Sequence, residues 1–141
     1  TPSARFCMVF LRVGLVPDCG AYYLLPRVVG PQRAKELMLS AREVDADEAL
    51  RLGIVMEIHP EQALLARAQA LAASFTGASP LVAALVKREI SMSLATDLRS
   101  TLSNEADHQA LCFMSSYHQQ AVQRFLNKQP ALFAWPALPR S

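Results

Sequence analysis

The residue of this sequence whose surroundings best suit acid–base chemistry is Asp18. It lies in a turn marked by glycine and proline, Gly14-Leu15-Val16-Pro17-Asp18-Cys19-Gly20. Four apolar or aromatic residues stand close to it in the sequence: Phe10, Leu15, Val16 and Tyr22. If these side chains enclose the carboxyl group, burial raises its pKa and makes it a better general base. The alternative is that Asp18 is an ordinary helix N-cap that follows Pro17.

The cysteines and histidines do not form a second candidate site. The three cysteines have no paired spacing, which predicts free thiols in a reducing cytoplasm rather than disulfides: Cys7, Cys19 and Cys112. Cys19 stands near a predicted helix N-terminus, where thiolates are favoured, but it has no evident base partner, so an inert thiol is favoured. No metal site is predicted, because the three histidines make no ligand pattern with these cysteines: His59, His108 and His118.

The composition is that of a soluble, single-domain globular protein, with 141 residues, 52% of them apolar, and a net charge of +2. No basic stripe with interleaved aromatic residues is present, so nucleic-acid binding is not predicted. The densest apolar run, Cys7 to Val16, is interrupted by Arg12 and is too short to span a membrane. The chain opens at Thr1 without methionine and enters a strand-like segment at once, so we expect that an earlier half has been lost.

The elements that would position Asp18 are short strands and helices. Two strands are predicted, over Arg5 to Val9 and over Ile54 to Ile58. Start and stop signals, including the N-caps Asp45, Ser79 and Asp97, predict the helices. These run approximately over Gly20 to Val28, Pro31 to Ser40, Asp45 to Leu52, Pro60 to Phe75, Pro80 to Ile90, Asp97 to Phe113 and His118 to Asn127. The tail over 131–141 contains prolines and is predicted to be extended.

The segment Ala4 to Gly30, ARFCMVFLRVGLVPDCGAYYLLPRVVG, resembles the crotonase (enoyl-CoA hydratase/isomerase) family. The matching elements there are Ala4-Arg5-Phe6, the turn from Gly14 to Gly20, Leu25-Pro26-Arg27 and Gly30. Further matches follow in family order at Arg33 to Leu37, Ala46 to Val55, Phe125-Leu126-Asn127-Lys128 and Phe133. The ordered set covers nearly the whole chain. It is most similar to the branch of phenylacetate-pathway ring-epoxide isomerases and enoyl-CoA isomerases.

The resemblance implies an α/β crotonase-like parent fold, a spiral of ββα units followed by a helical C-terminal region that builds trimers, often paired into hexamers. This chain would be its mostly α-helical C-terminal portion with two short strands. Residues 1–60 would form the end of the spiral core with the Pro-Asp-x-Gly turn, and residues 61–141 the helical oligomerisation region. The family's oxyanion hole and the first of its two hydratase glutamates belong to the earlier half.

The resemblance also implies a catalytic role for Asp18, because the matching carboxylate of the isomerase branch faces the acyl chain near the thioester. Such a carboxylate moves a proton from the α-carbon to the γ-carbon while preorganised donors hold the enolate oxygen. Phe10 stands where the hydratase pattern places its second glutamate. Because water addition uses two carboxylates, we expect isomerisation rather than hydration. Phe10, Leu15, Val16 and Tyr22 are the predicted substrate-pocket residues.

Phe125 and Lys128 match residues that in this family contact the adenine and phosphate of coenzyme A, typically from a neighbouring subunit. A lysine suits a phosphate as a point charge. The alternative is that Lys128 contacts solvent only, and that its positive charge is favoured by the helix dipole near the C-terminus of the last helix.

The leading hypothesis is therefore a cytoplasmic acyl-CoA isomerase that acts as a homotrimer or a dimer of trimers. Coenzyme A would enter as part of the substrate, with no permanently bound cofactor, no metal, and no membrane or nucleic-acid partner. One alternative is an enoyl-CoA hydratase of the fatty acid β-oxidation type. The other is a non-catalytic acyl-CoA-binding or assembly module that lacks the oxyanion hole.

Overall fold

All seven predicted helices are present in the computed structural model, which describes residues 1–137. The helices are α1 (Ala21–Val29), α2 (Pro31–Ser40), α3 (Ala46–Arg51), α4 (Glu61–Ser74), α5 (Pro80–Met92), α6 (Leu98–Phe113) and α7 (Ser116–Leu126). Two 3-10 helices, Val9–Val13 and Phe75–Gly77, accompany them. The part of the predicted extended tail at 138–141 lies outside the described residues, and 131–137 form neither helix nor strand.

The predicted N-caps are confirmed by their hydrogen bonds. Asp45 accepts from the backbone N–H of Glu48 at 2.8 Å, and Asp97 accepts from that of Ser100 at 3.0 Å. Ser79 accepts from the N–H of Val82 at 3.4 Å. These bonds satisfy backbone donors that the first turn of a helix leaves free. Helix α7 begins two residues earlier than predicted, because Ser115 is its N-cap.

Two strands are present in residues 1–137, but only one of them lies where it was predicted. Strand β1 (Arg5–Cys7) pairs antiparallel with β2 (Glu43–Asp45), with Phe6 opposite Val44. The predicted strand over Ile54 to Ile58 is wrong. The N–H groups of Ile54 and Val55 donate to the carbonyl of Ala49 at 2.9 and 3.3 Å, so they cap α3 and are not available to a sheet.

The structure divides into two units, Thr1–Arg67 and the residues from Ala68 onward. The sequence predicted a division after residue 60, just before α4. The boundary between the two units instead falls within α4, after Arg67. In the first unit Leu37, Val44 and Ala49 form the buried core. Six partly buried side chains pack against that core: Phe6, Leu25, Val29, Leu52, Ile54 and Val55.

A buried ion pair ties the segment after α3 to α4 within the first unit. Arg67 is 8% exposed and donates two hydrogen bonds of 2.8 Å to the carboxylate of Glu57. His59 lies 2.6 Å from the same carboxylate. These bonds, from Arg67 first and His59 second, lower the pKa of Glu57 to about 2. Since Glu57 turns towards Arg67, the segment before α4 is held by side chains rather than by strand pairing.

Arg42 links α2 and α3 through two carboxylates. Its guanidinium contacts Glu36 at 2.6 Å and Glu48 at 2.7 Å. Both pairs are bidentate, a geometry that strengthens an arginine–carboxylate contact. The hydrogen bond from Arg42 is the largest cause that lowers the pKa of Glu36, to about 2, and that of Glu48.

Replacing Arg42 by glutamine should therefore lower stability at neutral pH and leave it little changed at pH 2. The pKa of Glu36 is about 2 in the folded chain and 4.5 ordinarily. The ion pair with Arg42 therefore stabilises the folded chain above pH 4.5, and this contribution is lost as the pH falls towards 2. Urea unfolding at both pH values measures the difference, with Arg51→Gln, which removes an exposed cation on α3, as the matched control. An equal loss of stability at neutral and acid pH would contradict this account.

The second unit brings the segment after α7 against the turn between α4 and α5. The hydroxyl of Tyr117 donates to the carbonyl of Gly77 at 2.8 Å. Phe75 packs against Phe133 in a tilted arrangement and against Trp135 edge to face, with ring centroids 5.8 Å apart in each pair. A Cβ on Gly77 would lie 2.4 Å from the carbonyl oxygen of Leu132, so this approach requires glycine. Of the described helices, none alone has the length and hydropathy to cross a membrane, although α4 and α5 meet that criterion as a bent pair.

Candidate active site

A cleft of about 410 Å³ opens in the first unit along α1. Its lining contains two polar side chains, Asp18 and Cys19. The other lining residues are apolar: Met8, Phe10, Ala21, Leu24, Leu25, Val28 and Ile54. A small open cleft with one carboxylate among apolar side chains is an arrangement typical of small-molecule binding and acid–base catalysis.

A tight turn presents Asp18 to this cleft. The N–H of Ala21 donates to the carbonyl of Asp18 at 2.9 Å, and both residues between them have positive φ, 50° for Cys19 and 77° for Gly20. Glycine adopts that conformation freely, whereas a cysteine there is unusual. Gly20 is the N-cap of α1, and no side chain caps that helix. The alternative that Asp18 is an ordinary N-cap is therefore wrong.

The burial expected around Asp18 is absent from the described residues. Asp18 lines the cleft but is exposed. The physical reason lies in its sequence neighbours, because Leu15 and Val16 are 62% and 68% exposed and do not cover it. The expected apolar cleft is thus present on one side of the carboxylate, while the other side is open to solvent.

Of the four predicted pocket residues, the structure brings Phe10 together with Asp18. Phe10 is half-buried in the 3-10 helix and lines the same cleft. Leu15, Val16 and Tyr22 are not among its lining residues, and Tyr22 is 58% exposed. Tyr22 lies on α1 between Ala21 and Leu24, whose side chains line the cleft, and so faces another direction on the helix. Their assignment to the substrate pocket stays a prediction.

The exposed thiol of Cys19 is poorly suited to act as a nucleophile. Its pKa is raised by a hydrogen bond to the Asp18 carboxylate and, second, by the negative charge of that group. A thiol held in its protonated form is a weak nucleophile. Among the described residues no three His, Cys, Asp or Glu side chains meet in a group that could hold a metal ion. The cleft therefore offers Asp18 as its acid–base group.

Besides Cys19, six apolar lining residues were not predicted from the sequence: Met8, Ala21, Leu24, Leu25, Val28 and Ile54. A signal existed for four of them, since Ala21, Leu24, Leu25 and Val28 follow the i, i+3, i+4, i+7 spacing of one helix face. Ile54 carried no such signal. It lies beyond α3 in the sequence and reaches the cleft only because it packs against the core.

Phe125 and Lys128 lie in the second unit, at the C-terminal end of α7. Phe125 is 81% exposed, and Lys128 is exposed with a φ of 52°. The N–H of Lys128 donates to Phe125 at 3.1 Å and that of Gln129 to Arg124 at 2.9 Å, which together form a Schellman motif. Glycine is usual at the left-handed position of this motif, and here it is lysine. The motif holds Lys128 and Phe125 close together at the surface.

A larger groove of about 610 Å³ lies between α5 and α6 in the second unit. Two of its polar lining residues, Glu89 and His108, are bound to neighbouring side chains. Asn104 donates to Glu89 at 3.2 Å, and Arg88 lies 2.6 Å from Nε2 of His108. The cleft with Asp18 is therefore the stronger candidate for catalysis.

Comparison with known proteins gives consistent matches. The family model described as enoyl-CoA hydratase/isomerase matches residues 1–135. The chain is 34% identical over 131 residues to 1,2-epoxyphenylacetyl-CoA isomerase of Escherichia coli (strain K12), which covers 93% of this chain and 50% of that protein. It is 32% identical over 131 residues to crotonyl-CoA hydratase of Syntrophomonas wolfei, with the same coverage.

Solved structures also match nearly the whole of this chain and about half of their own length. The crystal structure of an enoyl-CoA hydratase/isomerase from Cupriavidus metallidurans CH34 is 50% identical, with a TM-score of 0.93. The match covers 97% of this chain and 52% of that one. The chain thus spans about half the length of the relatives that it matches.

Proposed function

Because this chain belongs to the enoyl-CoA hydratase/isomerase family, we propose that the complete protein is an acyl-CoA isomerase that moves a proton between carbons near the thioester. The chain has the crotonase-like fold that the sequence predicts, and its described part is mostly helical with two short strands. The observation that carries the proposal is that, among the described residues that line the cleft, Asp18 is the one carboxylate.

The proposed chemistry assigns the proton transfer to Asp18. Its carboxylate accepts a proton from the α-carbon of a β,γ-unsaturated acyl-CoA, and the electrons of that C–H bond delocalise onto the thioester oxygen as a dienolate. The protonated Asp18 then returns the proton to the γ-carbon, the thioester carbonyl re-forms, the double bond comes to lie between the α- and β-carbons, and the base is restored. Donors to the enolate oxygen would come from the half of the fold that the relatives carry beyond this chain.

Hydration is the second candidate, and the names of several relatives favour it. Activating water and protonating the substrate, as the family mechanism does, needs two carboxylates at one water molecule. In the cleft of this chain Phe10 accompanies Asp18 at the position where the hydratase pattern has its second glutamate. An aromatic ring cannot replace that glutamate as an acid or base, which favours isomerisation.

We propose a cytoplasmic homotrimer or dimer of trimers, without metal or permanently bound cofactor. The three free cysteines suit a reducing compartment. Large apolar side chains at the ends of α6 and α7 are exposed, and surfaces of this kind often take part in subunit contacts: Phe113, Met114, Phe125 and Leu126. A phenylacetate-type acyl group is one substrate consistent with the relative from E. coli.

Lys128→Ala should weaken the binding of a saturated acyl-CoA to the complete protein about fivefold, as expected for loss of one exposed ion pair with a phosphate. Alanine keeps a Cβ at the left-handed position, so the backbone preference is hardly altered. Isothermal titration calorimetry measures the change, which should shrink at high salt. Lys87→Ala, which removes an exposed lysine from α5, is the control. Unchanged affinity for Lys128→Ala would identify Lys128 as an ordinary surface charge.

The test of the proposed reaction is removal of the Asp18 carboxylate from the complete protein. We expect double-bond migration to be lost while acyl-CoA binding persists. Near-normal turnover by Asp18→Asn would contradict the proposal.

A further inference from the structure

Lys128 has a backbone conformation that its surroundings must hold. Its φ of 52° lies in the left-handed region, which glycine adopts freely and other residues adopt at a cost. A residue in such a conformation persists where the structure around it fixes it. The hydrogen bonds of the Schellman motif fix the turn on its α7 side. Further support comes from the chain that follows Lys128.

Arg124 holds this turn from two sides. Its carbonyl accepts from the N–H of Gln129 at 2.9 Å, and its Nε donates to the carbonyl of Pro130 at 2.8 Å. The two residues that follow Lys128 are thus both bonded to the same arginine. Because proline fixes its own φ and cannot continue a helix, the direction in which the chain leaves the turn is also restricted. Lys128 therefore lies in a short loop that Arg124 closes at its base.

The segments on either side of this loop are anchored without the side chain of Arg124. Beyond Pro130, Phe133 packs against Phe75 with ring centroids 5.8 Å apart. Helix α7 is fastened to the same 3-10 helix, Phe75–Gly77, by the hydrogen bond that the hydroxyl of Tyr117 donates. Removal of the Arg124 side chain should therefore loosen the turn and leave the helix and the tail in place.

The side chain of Arg124 lies on a different surface from that of Lys128. It is half-buried and lines a groove of about 330 Å³ together with Leu132 and three glutamines: Gln119, Gln120 and Gln123. Neither Lys128 nor Phe125 is among the described residues that line this groove. This placement favours an effect of Arg124 on Lys128 through the backbone of the turn, rather than through a ligand that both side chains contact.

We infer that Arg124 is a positioning residue, which fixes the backbone of Lys128 so that the lysine ammonium is preorganised for a phosphate of the CoA moiety. The inference rests on the proposed function, in which Lys128 contacts a phosphate, and adds the residue that acts through it. A lysine on a fixed backbone samples fewer positions, so less conformational entropy is lost when the phosphate binds. Loss of Arg124 should consequently weaken CoA binding only where Lys128 is present.

A double-mutant cycle on the complete protein tests this dependence by calorimetry with butanoyl-CoA, a saturated thioester that cannot isomerise. Arg124→Met keeps the apolar stem of the side chain and removes its donor and its charge. We expect it to weaken binding about threefold in the wild-type background and hardly at all in the Lys128→Ala background. Arg99→Met, which removes an exposed arginine from α6, is the control for lost charge and should leave the affinity unchanged.

The cycle has three outcomes that overturn the inference. An equal loss in both backgrounds would mean that Arg124 acts independently of Lys128. No loss in either background would mean that Arg124 contributes nothing to binding. Unchanged affinity in Lys128→Ala alone would remove the phosphate contact on which the inference rests. The proposed reaction would stand in all three cases, because the turnover of Asp18→Asn tests it separately.

A truncated ligand distinguishes positioning from general damage to the fold. Butanoyl-pantetheine carries the thioester and lacks the nucleotide with its phosphates. Its affinity, measured by displacement of butanoyl-CoA, should be the same in the wild type and in Arg124→Met. A loss as large as that seen with butanoyl-CoA would indicate a structural defect and would overturn the inference.

Pro130→Gly loosens the same turn while it keeps Arg124 and every charge. Glycine frees the backbone that proline fixes, and it retains the carbonyl to which Arg124 donates. We expect binding of butanoyl-CoA to weaken about twofold, again only where Lys128 is present. Unchanged affinity would show that Lys128 does not need a fixed turn, and would overturn the inference.

Discussion

Asp18→Asn in the complete protein should slow double-bond migration about a thousandfold, the usual contribution of a positioned general base. An amide of nearly the same shape fills the same place but cannot accept a proton from carbon. The effect should appear in kcat, with little change in the affinity for saturated acyl-CoA, because the acyl wall of the cleft is apolar and remains intact. The measurement is the conversion of a β,γ-unsaturated acyl-CoA to its α,β isomer.

The design of this variant limits structural side effects. The backbone carbonyl of Asp18, rather than its carboxylate, closes the turn by accepting from Ala21. The side chain is exposed in this chain, so the free energy of unfolding of the chain by itself should change by less than about 0.5 kcal/mol. Asp47→Asn, at another exposed carboxylate of the first unit, is the matched control and should keep full activity. A variant Asp18→Asn with normal kcat would exclude Asp18 as the base.

If the proposed correspondence of Phe10 with one of the two hydratase glutamates holds, hydration of crotonyl-CoA by the complete protein should be slower than double-bond migration by about a hundredfold or more. The phenyl ring lines the cleft with Asp18 and carries no group that can donate or accept a proton. Loss of absorbance of the conjugated thioester measures hydration directly. Brisk hydration would show that Phe10 does not mark the loss of hydratase chemistry.

Phe10→Glu tests whether restoring a carboxylate at this position restores hydration. A second carboxylate in the cleft should raise hydration above the wild-type rate, while migration falls because the apolar wall is interrupted. Val13→Glu places the same side chain on the same 3-10 helix at a 66% exposed position outside the lining, and should not raise hydration. An equal gain in both variants would indicate a general effect of negative charge rather than a role for position 10.

Much of the helical structure was determined by local sequence. Asp45, Ser79 and Asp97 each bind the N–H three residues later, so the cap and the turn that it begins are adjacent in the chain. Proline at the first position of α2 and glycine before it act over the same short range. The family was predicted from its resemblance to an ordered set of motifs between Ala4 and Phe133, and the comparisons confirmed it.

Only the tertiary structure decided which residues meet at Asp18. Ile54 lines the cleft from 36 positions along the chain, and β2 pairs with β1 across a similar separation, so neither contact has a local signal. The exposure of Asp18 was likewise not readable from its apolar neighbours, because Leu15 and Val16 are near it in sequence but turn away in space. Local hydrogen bonds depend on a few consecutive residues, whereas burial depends on every segment that packs around a side chain. For that reason the residue types predicted the chemistry of the carboxylate, and the packing of distant segments determined the cleft in which it lies.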